Sequence, residues 1–151
     1  MVVLLFGQPA SGKTTLADLL VPYMPRFAMR IDGDVWREIT ENKDYSEEGR
    51  RRNLKSAYDM AIYLERNGIS SLMSFVSPFE DLRQYLSSKT NCVQIYLEYN
   101  EDRGRNNYFA KGFDEPKDCL RINTSELSID ECLIKIREYI KQKTNYESEL
   151  D

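Results

Sequence analysis

The stretch Gly7-Gln8-Pro9-Ala10-Ser11-Gly12-Lys13-Thr14 constrains this chain more than any other. An apolar run, Val2-Val3-Leu4-Leu5-Phe6, precedes it and reads as a buried strand. A helical pattern follows, with Leu16, Leu19 and Leu20 on one side. A glycine-containing turn between a strand and a helix presents backbone N–H groups to an anion, and the helix dipole adds positive potential beneath it. The spacing Gly-x-x-x-x-Gly-Lys-Thr is that of a P-loop. In such a loop Lys13 reaches the β- and γ-phosphates of a nucleoside triphosphate and Thr14 ligates Mg²⁺. The expected nucleotide contacts are Gly7, Ala10, Ser11, Gly12, Lys13, Thr14 and Thr15.

Apolar strand-like runs alternate with helical patterns along the remaining chain, which points to an α/β domain. The expected fold is the P-loop NTPase fold, a mostly parallel five-stranded sheet with helices on both faces. The strands are expected at Val2–Phe6, Phe27–Ile31, Ile69–Phe75, Val93–Leu97 and Leu120–Asn123. Helices are expected at Lys13–Val21, Val35–Thr40 and Ser46–Asn67, with a last one opened by a Ser128/Glu131 capping box. Ser77-Pro78-Phe79-Glu80 reads as another capping box, with Pro at the first helical position. Residues 1–143 then form one kinase-sized domain, residues 100–116 a basic, glycine-containing lid, and 144–151 a frayed tail.

Composition removes several classes of function. There is no histidine, which excludes Ser-His and Cys-His catalysis and histidine metal sites. Cys92, Cys119 and Cys132 are widely spaced, with no Cys-x-x-Cys pair, and fit a reducing, cytoplasmic setting. A net charge of −4 argues against a nucleic-acid partner. No apolar run is long enough to span a membrane, and the start lacks the basic region and cleavage site of a signal peptide. The chemistry is left to carboxylates, Lys, Arg, hydroxyls and a hard cation.

Ligands of open α/β sheets bind outside the carboxyl ends of the strands. That rim gathers the P-loop, Asp32 and Asp34, the Ser77 segment and the lid. If the chain stays extended past the second strand, Asp32 and Asp34 point the same way. One could accept a proton from an attacking hydroxyl while the other holds Mg²⁺ or positions the acceptor. Arg37 lies one helical turn beyond Asp34. Arg50 and Asn53 share a helix face, where a guanidinium and an amide suit a phosphate or sulfate. Arg50, Arg51 and Arg52 leave their helix in different directions, so they cannot all serve one site. Arg83 is a further anion-binding candidate, and Phe79 a stacking surface. Arg103, Arg105 and Lys111 give the lid its charge.

These motifs together resemble the adenylylsulfate (APS) kinase family of P-loop kinases. Asp32-Gly33-Asp34-x-x-Arg37 is similar to that family's Asp-Gly-Asp-x-x-Arg. Tyr45-Ser46 with Arg50 and Asn53 is similar to its Phe-Ser-x-x-x-Arg-x-x-Asn, and Ser77-Pro78-Phe79 with Arg83 to its Ser-Pro-Tyr/Phe-x-x-x-Arg. Phe113-Asp114-Glu115-Pro116 and Asn123-Thr124 resemble the segment on the adenine side. The likeness runs in order over roughly residues 1–140. It implies an ATP- and Mg²⁺-dependent kinase that phosphorylates the ribose 3′-hydroxyl of a nucleotide-like acceptor, and it is compatible with a homodimer. Lys13, Asp32 and Asp34 would be catalytic, with Thr14 and Asp32 at the metal and Arg103 and Thr124 at the nucleotide. Asp34, Arg37, Arg50, Asn53, Ser77, Pro78, Phe79 and Arg83 would hold the acceptor. The family's lid motif Arg-Asp-x-Lys-Gly-Leu-Tyr is missing, and Gly49 and Arg52 stand where acidic residues are usual. This divergence leaves the acceptor open between adenylylsulfate and cytidine diphosphoramidate, a substrate of relatives in capsule biosynthesis. A non-catalytic nucleotide-binding regulator is a further alternative.

Overall fold

The structure, a computed structural model, describes residues 1–150. Five strands form one sheet: β1 (Val2–Phe6), β2 (Met29–Asp32), β3 (Ser71–Phe75), β4 (Cys92–Glu98) and β5 (Leu120–Asn123), in the order β2-β3-β1-β4-β5. Every pairing is parallel. All five carboxyl ends therefore lie on one rim. The α-helices are α1 (Lys13–Leu20), α2 (Gly33–Thr40), α3 (Glu47–Arg66), α4 (Glu80–Lys89) and α5 (Ile129–Thr144).

Strand β1 shows why the sheet needs two covers. Each of its residues is buried, and pleating sends alternate side chains to opposite faces. Val2, Leu4 and Phe6 pack with Leu54, Ala57, Tyr58 and Ala61 of α3 and Leu86 of α4. Val3 and Leu5 pack with Leu16, Ala17 and Leu20 of α1 and Ile136 and Ile140 of α5. Burying each large aliphatic side chain contributes about 1.5–3 kcal/mol, so these two layers hold the rim in place. No helix among the described residues is long and apolar enough to cross a membrane. The three cysteines are free thiols.

Local signals placed most helix ends. Ser46 caps α3 by accepting from the Gly49 N–H, and Ser128 with Glu131 forms the expected capping box of α5. Three expectations fail. Strand β2 is shifted by one residue at its end, so Asp32 is both its last residue and the cap of α2, accepting from the N–H groups of Asp34 and Val35. Ser77 does not cap α4. It adopts a left-handed conformation with φ 47°, and the Asp114 carboxylate instead accepts the Glu80 N–H at 2.9 Å. Tyr146 and Ser148, in the segment expected to fray, are tied down: Tyr146 packs on the core, its N–H donates to Thr144, and Ser148 is buried.

Candidate active site

The P-loop backbone is forced by its surroundings. The Gly7 N–H donates to the Val76 carbonyl at 3.3 Å, locking the loop to the end of β3. A Cβ on Gly7 would lie 2.3 Å from the Leu97 carbonyl oxygen, so only glycine fits. Ser11 is fully buried beneath the loop. Lys13 folds back over it, its Nζ donating to the carbonyls of Gly7 (3.0 Å) and Gln8 (2.8 Å) and to Ser11 Oγ (3.3 Å). Burial pushes the Lys13 ammonium down to about 8, with Asp34 and Asp32 opposing the shift and Arg105 adding to it. A strongly desolvated cation over a ring of N–H groups is a site with unmet demand for an anion.

The two carboxylates lie across from Lys13. Asp32 Oδ1 accepts from Thr14 Oγ1 at 3.1 Å and from Ser74 Oγ at 2.8 Å, with Arg30 at 3.7 Å. Burial favours the protonated form of Asp32. The bonds from Ser74, the Val35 N–H and Thr14, with the charge of Arg30, outweigh it and hold the carboxyl below its usual range. Asp32 is thus fixed and ionised. Asp34 lies in the first turn of α2, so helix geometry rather than strand alternation brings it to the same cavity. The Thr14 hydroxyl and Asp32 carboxylate form a hard oxygen donor pair suited to Mg²⁺. No group of three or more acidic or thiol ligands accompanies them among the described residues.

One cavity of about 770 Å³ joins these groups to the acceptor candidates. Its walls include Ala10, Gly12, Lys13, Thr14, Thr15, Asp32 and Asp34 from the P-loop and the β2–α2 junction, together with Arg37, Arg50, Asn53, Ser77 and Pro78. Arg37 is fixed by bonds from its Nη1 to the Asn42 and Asp44 carbonyls, and its guanidinium stacks 4.1 Å from the Tyr45 ring. The loop carrying these partners lies hard against α3. A Cβ on Gly49 would come 2.2 Å from Asp44, which explains a glycine inside a helix. Arg52 and Asp44 close the same junction with an ion pair. Arg50, Arg51 and Arg52 do diverge: Arg50 lines the cavity, Arg51 covers the Phe79 ring and pairs with Asp81, and Arg52 meets Asp44. Asn53 is buried, and its Oδ1 has no hydrogen-bond partner among the described residues.

Other expected site residues lie elsewhere. Gly7 and Ser11 shape the loop from beneath. Phe79 is buried under Arg51 and does not line the cavity. Arg83 is fully buried, 4.7 Å from the Phe6 ring, and bonds to the Ser77 carbonyl, Glu80 and the Asp114 carbonyl. It fastens the strained Ser77 turn from behind and cannot meet a ligand in the cavity. Arg103 and Thr124 grip the P-loop backbone, Arg103 at the Ala10 carbonyl (2.8 Å) and Thr124 at the Ser11 carbonyl (3.0 Å).

Several lining residues were not among the expected site residues: Ser74, and Tyr108, Phe109 and Ala110 of the lid segment. Tyr45, read only as part of a motif, and Arg105, read only as lid charge, line the cavity as well. The lid reaches the cavity because Gln8 clasps Ala110: its Nε2 donates to the Ala110 carbonyl (3.0 Å) and its Oε1 accepts the Ala110 N–H (2.9 Å). Tyr99 adds a bond to the Pro9 carbonyl at 2.7 Å. A polar residue at the second position of the P-loop was the available signal.

Comparison with known proteins agrees with this architecture. The chain is 38% identical over 100 residues to a probable adenylyl-sulfate kinase of Archaeoglobus fulgidus, a match covering 63% of this chain and 64% of that protein. It therefore spans less than two thirds of that relative's length. An adenylyl-sulfate kinase of Halothermothrix orenii is 27% identical over 161 residues, covering 91% of this chain and 87% of that one. Among solved structures, the Mycobacterium tuberculosis APS kinase in complex with AMPPNP and APS superposes with a TM-score of 0.78 at 19% identity, covering 93% and 96% of the two chains. At that identity the likeness speaks for the fold. Residues 1–112, from the P-loop through α3 to the clasped lid, match the adenylylsulphate kinase family, and the chain belongs to it.

Proposed function

We propose that this chain is an ATP-dependent kinase that transfers the γ-phosphoryl group to a hydroxyl, the ribose 3′-hydroxyl, of a nucleotide-like acceptor. The observation that carries the reading is that one cavity is lined by the P-loop with Lys13, by the carboxylate pair Asp32 and Asp34, and by Arg37 and Arg50. The P-loop N–H groups and Lys13 Nζ would bind the donor phosphates, and Lys13 would leave its carbonyl partners to do so. Thr14 and Asp32 would hold Mg²⁺, which when bound offsets charge on the phosphate oxygens. Arg37, Arg50 and Asn53 Oδ1 would orient the acceptor, the arginines meeting its anionic group and the amide oxygen accepting from a hydroxyl or base N–H. Asp34 would take the proton of the attacking hydroxyl as the acceptor oxygen bonds to phosphorus and ADP leaves. Residues 1–143 would act as one domain, with 100–116 covering the donor. We place the enzyme in the cytoplasm.

The test is ADP release from ATP and Mg²⁺ across adenylylsulfate, cytidine diphosphoramidate, shikimate, gluconate and a no-acceptor control. Release with one nucleotide-like acceptor is the expected result and names the substrate. Release with none, by a protein that binds ATP, would favour the regulatory alternative.

A further inference from the structure

Arg37 and Arg50 are half-buried, line the same cavity, and are close enough for their like charges to act on one another. Burial is the largest influence on the Arg37 cation and disfavours it. Tyr45 opposes that influence, Arg50 adds to it, and Asp34 and Asp44 oppose it. Two neighbouring guanidiniums repel, and their long side chains swing apart unless something holds them. The chain between them supplies that hold, and its central piece is the side chain of Asn42.

Asn42 follows Glu41, whose left-handed conformation (φ 55°) ends α2. Asn42 Oδ1 accepts from Arg37 Nη1 at 3.1 Å and from the Asp44 N–H at 2.9 Å. Asn42 Nδ2 donates to the carbonyl of Gly49, in the first turn of α3, at 3.2 Å. One half-buried amide thus ties Arg37 to the helix that carries Arg50, one residue beyond Gly49. The carbonyls of Asn42 and Asp44 accept from the same Arg37 Nη1 at 3.1 and 3.2 Å. Among the described residues, Arg37 Nε and Nη2 make no hydrogen bond, since all of these leave from Nη1. The edge formed by Nε and Nη2 is the one that grips an anion through two parallel bonds. Pinning Nη1 to the turn leaves that edge for the cavity.

We propose that Asn42 is a positioning residue for the acceptor: by joining Arg37 to the first turn of α3, it fixes the spacing of the two guanidiniums that meet the acceptor's anionic group. The inference rests on the kinase reading given above and deepens it on the acceptor side. Asn42 is not among the residues that line the cavity, so it acts through Arg37. The two cations are already gathered when the anion arrives, and affinity is gained by that preorganisation. A contact away from the reacting hydroxyl is felt equally before and during transfer. Its loss therefore appears in the KM of the acceptor and not in kcat.

The test is steady-state ADP release with adenylylsulfate and with cytidine diphosphoramidate, each with ATP and Mg²⁺. It compares the wild type, Asn42→Ala, Arg37→Ala and the double variant. Asn42→Ala should raise the acceptor KM about fivefold or more, keep kcat within about twofold and leave the KM of ATP unchanged. In the Arg37→Ala background the same substitution should add almost nothing, because the two side chains act as one unit. A purely structural role would lower the amount of folded enzyme, and so the apparent kcat, without moving the acceptor KM. Asn42→Ser keeps an oxygen for the Asp44 N–H but is too short for the Gly49 carbonyl. It should show the same pattern in smaller measure, and it stands in if the alanine variant does not fold. An unchanged acceptor KM overturns the assignment. So does a full rise repeated on Arg37→Ala, an equal rise in the KM of ATP, or failure of both Asn42 variants to fold. A wild type that releases ADP with neither acceptor removes the reading on which the inference rests, and the inference with it.

Discussion

The two walls of the cavity are built in opposite ways. The donor wall is local: β1, the P-loop, α1 and the β2–α2 junction set it through backbone conformation and neighbouring residues. The lid segment above it and the Ser77 turn are held by bonds between distant parts of the chain. Gln8 and Ala110 are 102 positions apart, Arg103 and Ala10 are 93 apart, and Tyr99 and Pro9 are 90 apart. Arg83 joins the Ser77 turn to Asp114 across 31 positions. A cradle for phosphate can thus be fixed by a short motif, whereas the segment that covers it depends on the whole fold.

The largest expected effect falls on the donor wall. Lys13→Ala should lower turnover by about two or more orders of magnitude, as for the loss of one transition-state donor, while the melting temperature holds or rises because a desolvated cation is gone. Unchanged turnover would remove Lys13 from its role. The same ammonium sets a pH dependence. Phosphate binding favours the charged form, and the free protein gives up that proton near pH 8. Nucleotide affinity should therefore be full below about pH 8 and fall as pH rises through it, by up to about tenfold per unit, with no such slope in Lys13→Ala. Because the folded-state value lies below the ordinary 10.5, the unfolded chain binds more protons between the two. The contribution of this group to stability consequently rises over that window.

Two arginines of the facing wall separate construction from recognition. Arg83→Met leaves Glu80 and two carbonyls without their donor in a buried place and should cost about 2–4 kcal/mol in urea unfolding. Arg50→Ala should leave stability within about 0.5 kcal/mol, as for exposed or half-exposed positions, and raise the KM of the acceptor. A reversed pattern, with Arg83→Met stable and acceptor binding lost, would return Arg83 to the ligand.

The sequence's reach follows the same division. The strand–loop–helix frame, the long α3 and the α5 capping box were legible because each depends on residues a few positions apart. Asp34 was placed in the right cavity by a mistaken route, since helix α2 begins two residues earlier than expected and Asp32 is its cap. Ser77 resembled a cap only locally. Asp114, 34 positions from Glu80, takes that task, and this frees Ser77 to bond the buried Tyr58 hydroxyl. Arg83 carried the spacing of a ligand contact yet points between Phe6 and Phe113. Arg105 was visible as charge in a basic segment, but its place in the cavity lining depends on fastenings that no local pattern reveals.

The smallest expected effect concerns one such fastening. Gln8→Ala removes two hydrogen bonds at the P-loop rim and should cost about 1–2 kcal/mol of local stability, read as faster hydrogen exchange at the Ala110 N–H. The donor wall should be untouched, with ADP affinity retained. Loss of ADP binding in that variant would join the two walls into one unit and end the distinction drawn here.

The most direct measurement is a crystal structure with AMPPNP and Mg²⁺. This account predicts the phosphates against the N–H groups of Gly12, Lys13 and Thr14, with Lys13 Nζ turned from the Gly7 and Gln8 carbonyls onto them and Asp34 facing the terminal phosphorus. Lys13 still bonded to those carbonyls, with the nucleotide absent from the loop or bound elsewhere, would contradict it.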